Sequence, residues 1–185
     1  MATPHNIVVL VGSIRKESFS LKIANALAKL APATLKLDVT TLHGISFFNQ
    51  DLEATPPADW VAFREKLQKS NGVLFVTPEY NRAIPGVLKN AIDVGSRPYG
   101  KSSFLGKPVG IVGAASGMSG SIRAQTHLRQ MLVFSDTPCL IQPEVLIPRA
   151  HERFDAEGRL TDGSTRALLA SFGGAMVAFV ERHRR

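Results

Sequence analysis

A short polar segment, residues 12–20, carries the clearest chemical potential in this chain. It follows an apolar run at residues 7–11, leads into a helical pattern, and holds a glycine, three serines and the basic pair Arg15 and Lys16. A glycine permits a tight turn, and hydroxyl, guanidinium and helix-start N–H groups are donors suited to phosphate. The segment therefore predicts an anion site. An ordinary strand-to-helix turn with a serine N-cap predicts the same pattern, so both interpretations stand.

The polar segment differs from two common phosphate-binding loops. It has neither the Lys followed by Ser or Thr after spaced glycines that defines the P-loop, nor the Gly-x-Gly-x-x-Gly of a dinucleotide fold. These two classes of nucleotide-binding loop are therefore excluded here.

Two further polar segments also follow apolar runs. The second contains the consecutive residues Pro78, Glu79, Tyr80 and Asn81, and the third is residues 114–120. Tyr80 suits contact with a planar heterocycle, with packing inside the protein as the alternative, and Asn81 favours a turn. Glu79 is a general base or metal ligand by type, but no His or Asp stands close to it in the sequence.

Apolar runs alternate with helical patterns along the chain. This alternation predicts an α/β fold with a five-stranded parallel sheet covered by helices on both faces. The predicted strands are residues 7–11, 35–39, 73–76, 109–113 and 139–141, the last with a continuation around 145–147 left open. Right-handed crossovers bring every strand-to-helix loop of such a sheet to one edge, where ligands bind. We therefore expect the three polar segments to meet around one ligand.

The composition predicts a single globular domain over residues 1–185. Apolar residues make up 44% of the chain and charged residues 20%, which argues against disorder. The formal net charge is +7, part of it from Arg182, Arg184 and Arg185. This charge suits anionic ligands. Nucleic-acid binding is the minor alternative, because no basic stripe is interleaved with aromatic residues.

The sequence also predicts a cytoplasmic location. Cys139 is the one cysteine, which fits a reducing compartment, and its apolar neighbours predict a packed thiol rather than a nucleophile. No charged start with an apolar signal core precedes the first strand. The longest uncharged apolar stretch, residues 167–180, is shorter than a bilayer span, so we expect neither secretion nor membrane association.

Several short motifs in this chain together match the pattern of a known protein family. They are Gly12-Ser13-Ile14-Arg15 with Ser18 and Ser20, Pro78-Glu79-Tyr80-Asn81 followed by Pro85-Gly86, Lys89-Asn90-Ala91-Ile92-Asp93, Ser96-Arg97-Pro98 and Gly106-Lys107-Pro108. Together they resemble the NAD(P)H-dependent FMN reductase family, which includes bacterial chromate, quinone and azo-dye reductases. The resemblance extends over about residues 6–147 and implies a flavodoxin-like three-layer sandwich of sheet order 2-1-3-4-5.

The resemblance also implies a bound FMN and assigns contacts to three groups of residues. The phosphate is assigned to Ser13, Arg15, Ser18, Phe19 and Ser20, the isoalloxazine to Pro78, Glu79, Tyr80 and Asn81, and the ring's other edge to Ala115, Ser116 and Gly117. Three positions depart from the family pattern. Ser20 stands where relatives often have Asn, Ala115 where Ser is common, and Val94 where an aromatic residue is frequent. We expect Ala115 to contribute its backbone N–H instead of a side chain.

The implied activity is hydride transfer from NADH or NADPH through FMN to small acceptors such as quinones, chromate, azo compounds or free flavin. FMN performs the chemistry, so no side chain is assigned as catalytic and no metal is expected. The resemblance further implies homodimers or homotetramers. Arg97 and Tyr99 then either reach a neighbour's site or lie in a solvated loop.

Two other functions share this fold class. An electron-carrying flavodoxin without reductase activity commonly shows an acidic face to its partners, whereas this chain is basic. A receiver-type phosphorylation domain needs an acidic pair after the first strand and an Asp after the third. Gly12, Ser13 and Thr77 occupy those positions, so the receiver reading is disfavoured.

Overall fold

Five parallel strands form a sheet in the computed structural model of this chain, which describes residues 4–183. The strand order is β2-β1-β3-β4-β5, which confirms the predicted topology. The strands are β1 (His5–Val11), β2 (Leu35–Thr41), β3 (Gly72–Thr77), β4 (Val109–Ala114) and β5 (Val145–Ile147). Two parts of the chain lie outside the described residues. They are residues 1–3, part of the N-terminal stretch in which no signal peptide is predicted, and Arg184 and Arg185 of the basic chain end.

One α-helix follows each strand along the chain. Short 3-10 turns at Gln50–Leu52 and Ala150–Arg153 complete the connections. The helices are α1 (Phe19–Leu30), α2 (Ala58–Gln68), α3 (Gly86–Gly95), α4 (Ile122–Val133) and α5 (Gly163–Arg182). A helix between successive parallel strands is the crossover that this sheet requires.

Alternate side chains of β1 belong to two separate cores. Ile7, Val9 and Val11 pack in the core that contains α1 and α5, whereas Val8 and Leu10 pack in the core that contains α2, α3 and α4. Successive side chains of a strand point to opposite faces, so an unbroken apolar strand requires cover on both sides. The structure is therefore the predicted three-layer sandwich.

Helix α5 is long and apolar enough to cross a membrane when judged by length and composition alone, with a mean hydropathy of 1.3. The stretch of α5 that contains no charged residue is residues 167–180, which is shorter than the helix as a whole. Phe172, Met176 and Val180 are each 1% exposed and pack in the core beside α1 and β1. Helix α5 is thus an outer layer of the sandwich in this structure.

The last strand begins later than the sequence predicts. The strand expected at residues 139–141 is reduced to one bridge between Cys139 and Val109, while Val145–Ile147 pairs with the end of β4. Pro143 lies between the two stretches and has no N–H to donate to a ladder. Burial raises the pKa of the partly buried Cys139 thiol, against a smaller opposing effect of the Arg129 charge, which supports a packed thiol.

Candidate functional site

The three polar loops meet at the carboxyl edge of the sheet around a cavity of about 510 Å³. They follow β1, β3 and β4, whose adjacent ends bring the loops together. The residues that line the cavity are Ser13, Arg15, Ser18, Phe19, Ser20, Pro78, Glu79, Tyr80, Ala114, Ala115, Ser116, Gly117 and Ser119. The expected convergence of the three loops is therefore observed.

The first turn of helix α1 offers unpaired donors to this cavity. The Ser18 hydroxyl is the N-cap and accepts from the Leu21 N–H at 3.2 Å. Among residues 4–183, none accepts a hydrogen bond from the Phe19 or Ser20 N–H. The Ser20 hydroxyl is also without a partner, although Ser20 is only 1% exposed. A buried hydroxyl of this kind calls for a ligand or water that accepts or donates a hydrogen bond.

Arg15 lies at the exposed rim of the same loop. Its Nη2 donates to the Glu17 carbonyl, and its guanidinium lies 5.2 Å from the centroid of the Phe19 ring. The Ser13 side chain is buried and its oxygen accepts a long 3.4 Å bond from the Arg15 N–H. The loop therefore presents one exposed cation beside a group of neutral donors, which is an arrangement suited to a phosphate group.

The loop after β3 makes a tight two-residue turn. The Tyr80 N–H donates to the Ala83 carbonyl and the Ala83 N–H to the Tyr80 carbonyl, each at 3.0 Å. Asn81 and Arg82 form the turn with φ of 51° and 65°. Asn tolerates this left-handed backbone better than most residues, so Asn81 shapes the loop as the sequence indicates. Tyr80 is 49% exposed and lines the cavity rather than the core.

Glu79 directs its carboxylate to the start of helix α4. Oε2 accepts from the Arg123 N–H at 3.0 Å and from the Ala124 N–H at 3.3 Å, and Oε1 accepts from Arg123 Nη1 at 2.9 Å. Burial acts to raise the pKa of Glu79, but the hydrogen bonds from Arg123 and Ala124 and the Arg123 charge together hold that pKa below its ordinary value. The Glu79 carboxylate is therefore ionised, and both of its oxygens already accept hydrogen bonds. These bonds argue against the interpretation of Glu79 as a general base.

The loop after β4 is bonded to the chain beyond β5. The Ala115 N–H donates to the Ile147 carbonyl at 3.0 Å, and the Ala115 carbonyl accepts from the Ala150 N–H at 2.9 Å. The expectation that the Ala115 N–H is available to a ligand is therefore wrong, because the extension of the β4–β5 pairing already uses it. Ser116 and Gly117 are exposed at the cavity.

The structure brings eleven of the twelve predicted contact residues to the cavity lining. The exception is Asn81, which lies in the neighbouring turn. The list of predicted contacts omitted Ala114 and Ser119, which lie in the third loop and carried no stronger signal than their neighbours. It also omitted Arg123, because nothing in the sequence connects it to a residue 44 positions earlier. Whether each lining residue contacts FMN stays a prediction.

Two other expectations concern residues away from the cavity. Arg97 Nε lies 3.2 Å from Glu53 Oε1, and its guanidinium lies over the Phe48 ring, so it is held by its own chain. Tyr99 is 78% exposed and Val94 is fully buried in a core. Within residues 4–183, no group of three His, Cys, Asp or Glu side chains could hold a metal ion.

The cavity has the size and the types of lining residue that a flavin mononucleotide requires. Its volume suits a ligand of this size, its floor supplies unpaired donors at a helix start, and its walls offer Pro78, Tyr80 and glycine-rich backbone to a flat ring. The orphaned Ser20 hydroxyl is a specific sign that a hydrogen-bonding group belongs at the end of the cavity beside the start of α1. Fold and cleft together define a flavodoxin-like protein with a mononucleotide site.

Comparison with known proteins identifies the family. A profile of NADPH-dependent FMN reductases matches residues 5–152, and the chain belongs to that family. It is therefore an NAD(P)H-dependent oxidoreductase that uses FMN, and the resemblance stated from its motifs is confirmed. The electron-carrier and receiver-domain alternatives are set aside, because the matched family consists of reductases.

Full-length relatives have similar descriptions. The chain is 45% identical over 185 residues to a quinone reductase of Pseudomonas putida, covering 100% of this chain and 99% of that protein. It is 40% identical over 178 residues to a 2-hydroxy-1,4-benzoquinone reductase of a Burkholderia species, covering 96% and 97%. The solved structure of FerB, a flavoenzyme NAD(P)H:(acceptor) oxidoreductase from Paracoccus denitrificans, matches with a TM-score of 0.88 at 37% identity, covering 97% and 98%.

Removal of the hydroxyl group should change the stability of the protein differently at the two serines at the start of α1. Ser18→Ala loses the helix cap, so we expect the free energy of unfolding to fall by about 1 kcal/mol. Ser20→Ala removes a buried hydroxyl that has no partner, so we expect a change within about 0.5 kcal/mol or a gain. Urea unfolding of the FMN-free protein measures both. Equal losses in the two variants would mean that Ser20 has a partner in the FMN-free protein.

Proposed function

We propose that the cavity between the three loops holds FMN and that the chain uses it to reduce quinones and related small oxidants with NAD(P)H. The observation that carries this proposal is the convergence of the three loops on a cavity whose helix-start end contains unpaired N–H groups and the orphaned Ser20 hydroxyl. Membership of the FMN reductase family supports the choice of ligand.

In this proposal the start of α1 holds the FMN phosphate. The N–H groups of Phe19 and Ser20 and the hydroxyls of Ser13, Ser18 and Ser20 supply neutral donors around one point. The positive end of the helix dipole favours the phosphate charge, and Arg15 adds a full positive charge from the rim. Ser18 keeps its cap, because its oxygen accepts from the helix while its O–H remains free to donate.

The other two loops form the walls for the isoalloxazine. Pro78 and Tyr80 present apolar surface on one side, and Ser116 and Gly117 present small residues and backbone on the other. Small residues let a flat ring approach the backbone closely, where N–H groups can bond its polar edge. Asn81 contributes through the turn that orients Tyr80, and Glu79 through its contact with α4.

When bound, FMN accepts a hydride from NAD(P)H and returns the electrons to an acceptor. The contribution of the protein is to bind and orient the reactants at close range. Among the described residues at the cavity, Glu79 is the one carboxylate in the lining, and its oxygens are engaged by α4. We therefore assign no catalytic side chain.

Quinones are the acceptor class that we favour. Two full-length relatives have names that specify quinone reduction, one of them a hydroxylated benzoquinone. A planar quinone suits a cleft that is open to solvent and walled by Tyr80 and small residues. The net charge of +7 favours approach of anionic partners, which includes NAD(P)H and chromate.

We further propose that residues 1–185 form one domain that acts in the cytoplasm as a homotetramer. One sheet with a core on each face supports the single domain, and one partly buried cysteine supports a reducing compartment. An apolar surface patch supports self-association. In that patch Tyr99 and Phe134, each 78% exposed, border a depression that Phe48, Ile92 and Met131 also line.

The reductase proposal predicts a yellow protein that releases FMN on denaturation. In anaerobic stopped-flow mixing, we expect NADH or NADPH to bleach the bound flavin faster than free FMN at the same concentration. Subsequent mixing with 1,4-benzoquinone, chromate and an azo dye should restore the oxidised spectrum, most rapidly with the quinone. A colourless protein that takes up no added FMN would contradict the proposal, and slow reoxidation by quinones would contradict the acceptor class.

Arg15→Ala tests the phosphate assignment. Loss of a charged donor should weaken FMN binding by about 1.5 to 3 kcal/mol, measured by fluorescence titration of FMN-free protein. Riboflavin, which has no phosphate, should bind the variant as it binds the wild type. Arg166→Ala, an equal charge change on α5, is the matched control and should leave FMN affinity unchanged. Equal weakening of FMN and riboflavin would refute a phosphate role for Arg15.

The tetramer predicts a molar mass near four times the 20.0 kDa of one chain in light scattering after size exclusion. Phe134→Glu places a charge in the apolar patch and should lower that mass. Ile141→Glu is the control, because Ile141 is similarly exposed at 70% but does not line the depression. A monomeric wild type, or a Phe134→Glu variant that stays tetrameric, would contradict this use of the patch.

A further inference from the structure

Helix α4 begins without a cap from its own segment. The residue at its N-cap position, Ser121, has a left-handed backbone with φ of 68° and makes no side-chain bond to the helix. The first N–H groups of an α-helix need acceptors from outside the helix. The Ile122 N–H donates to the Ser119 carbonyl at 3.1 Å. The next two N–H groups, of Arg123 and Ala124, donate to the Glu79 carboxylate.

The contact between Glu79 and α4 has the features of a strong N-terminal cap. A carboxylate at a helix N-terminus is favoured by the helix dipole as well as by its hydrogen bonds. Glu79 Oε1 also accepts from Arg123 Nη1 at 2.9 Å, and the Glu79 side chain is 9% exposed. The Arg123 side chain is 51% exposed, so the two backbone N–H bonds to the buried carboxylate contribute more to this cap than the ion pair does.

The contact joins two walls of the cavity that are distant in sequence. Glu79 stands between Pro78 and Tyr80, which line one wall, whereas α4 directly continues the loop that contains Ser116 and Ser119 on the other. Strands β3 and β4 fix the base of each loop by their pairing. Above the strands, the bonds from Glu79 to Arg123 and Ala124 are side-chain bonds that cross between the two loop regions.

We propose that Glu79 is a positioning residue that ties the loop after β3 to the start of α4 and thereby sets the spacing of the two walls that receive the flavin ring. This role rests on the proposed FMN site. Glu79 acts through the loops, since its carboxylate is committed to α4. The depressed pKa of Glu79 described above supports this role, because the bonds are made by the ionised form.

The role predicts graded effects on flavin affinity. Glu79→Ala removes all three bonds, and we expect the Kd for FMN to rise by about tenfold, because the two walls lose the contact that fixes their spacing. Glu79→Gln keeps an oxygen for the N–H groups but loses the charge, so the rise should be smaller. Arg123→Ala keeps both backbone bonds to Glu79 and should resemble Glu79→Gln. Fluorescence titration of FMN-free protein gives each Kd.

The matched control is another acidic helix cap far from the cavity. Asp162 caps α5 by accepting from the Thr165 N–H at 2.7 Å and is not part of the cavity lining. Asp162→Ala should lower the melting temperature in the same way as Glu79→Ala while leaving the Kd for FMN unchanged. A purely structural role for Glu79 would instead give Glu79→Ala and Asp162→Ala the same flavin affinity.

Two measurements that do not depend on catalytic activity complete the test. Hydrogen exchange in FMN-free protein should show loss of protection at the Arg123 and Ala124 amides in Glu79→Ala, and only a partial loss in Glu79→Gln. The visible spectrum and fluorescence of bound FMN should shift in Glu79→Ala and not in Asp162→Ala, because only the former changes the ring's surroundings.

The outcomes separate this inference from the proposed function. A wild type that binds no FMN contradicts the proposed function, while amide exchange still reports whether the bonds from Glu79 exist. A wild type that binds FMN together with a Glu79→Ala variant of equal affinity overturns the positioning role alone. Should Glu79→Ala fail to fold, Glu79→Gln and Arg123→Ala decide the matter, and wild-type affinity in both would overturn it.

Discussion

The parallel direction of all five strands is the constraint on which the rest of this structure depends. Because each strand is followed by a helix that returns to the opposite edge, every strand-to-helix loop emerges at the carboxyl edge. After β1 the chain crosses to β2 on one side, and after β3 it crosses to β4 on the other, so a crevice opens between these loops. Gly12 lies at this point of the sheet edge. A larger residue would be crowded there, because a Cβ would lie 3.2 Å from the Thr77 side chain.

Neutral donors dominate the end of the crevice at the start of α1, where we propose that the phosphate binds. The first turn of α1 contributes unpaired N–H groups and buried hydroxyls, whereas Arg15, the one cation in the cavity lining among residues 4–183, lies in the preceding loop at the exposed rim. Backbone donors are fixed by the fold and require no side-chain ordering when a ligand binds. This arrangement favours recognition by geometry, with the guanidinium adding charge from an exposed position.

The division of chemistry between protein and flavin explains the character of the cavity. A flavin supplies the redox step itself, so the protein needs to provide shape and orientation rather than a catalytic side chain. Glu79 illustrates this point, since its carboxylate completes the start of α4. The walls consist of proline, tyrosine and small residues, and in the proposed site they would leave one face of the flavin ring open to a donor and an acceptor in turn.

The sequence alone determined the covered parallel sheet and the three loops of the cavity, because these follow from local patterns, whereas the sheet order came from the resemblance of its motifs to a known family. Unbroken apolar strands require cover on both faces, and motifs such as Pro78 to Asn81 are contiguous. Only the tertiary structure decided the pairing of the last strand, where the apolar residues 139–141 make one bridge and 145–147 form β5. It also decided that Ala115 donates to Ile147 and that Glu79 caps α4, because hydrogen bonds between distant segments depend on folded positions that no local pattern encodes.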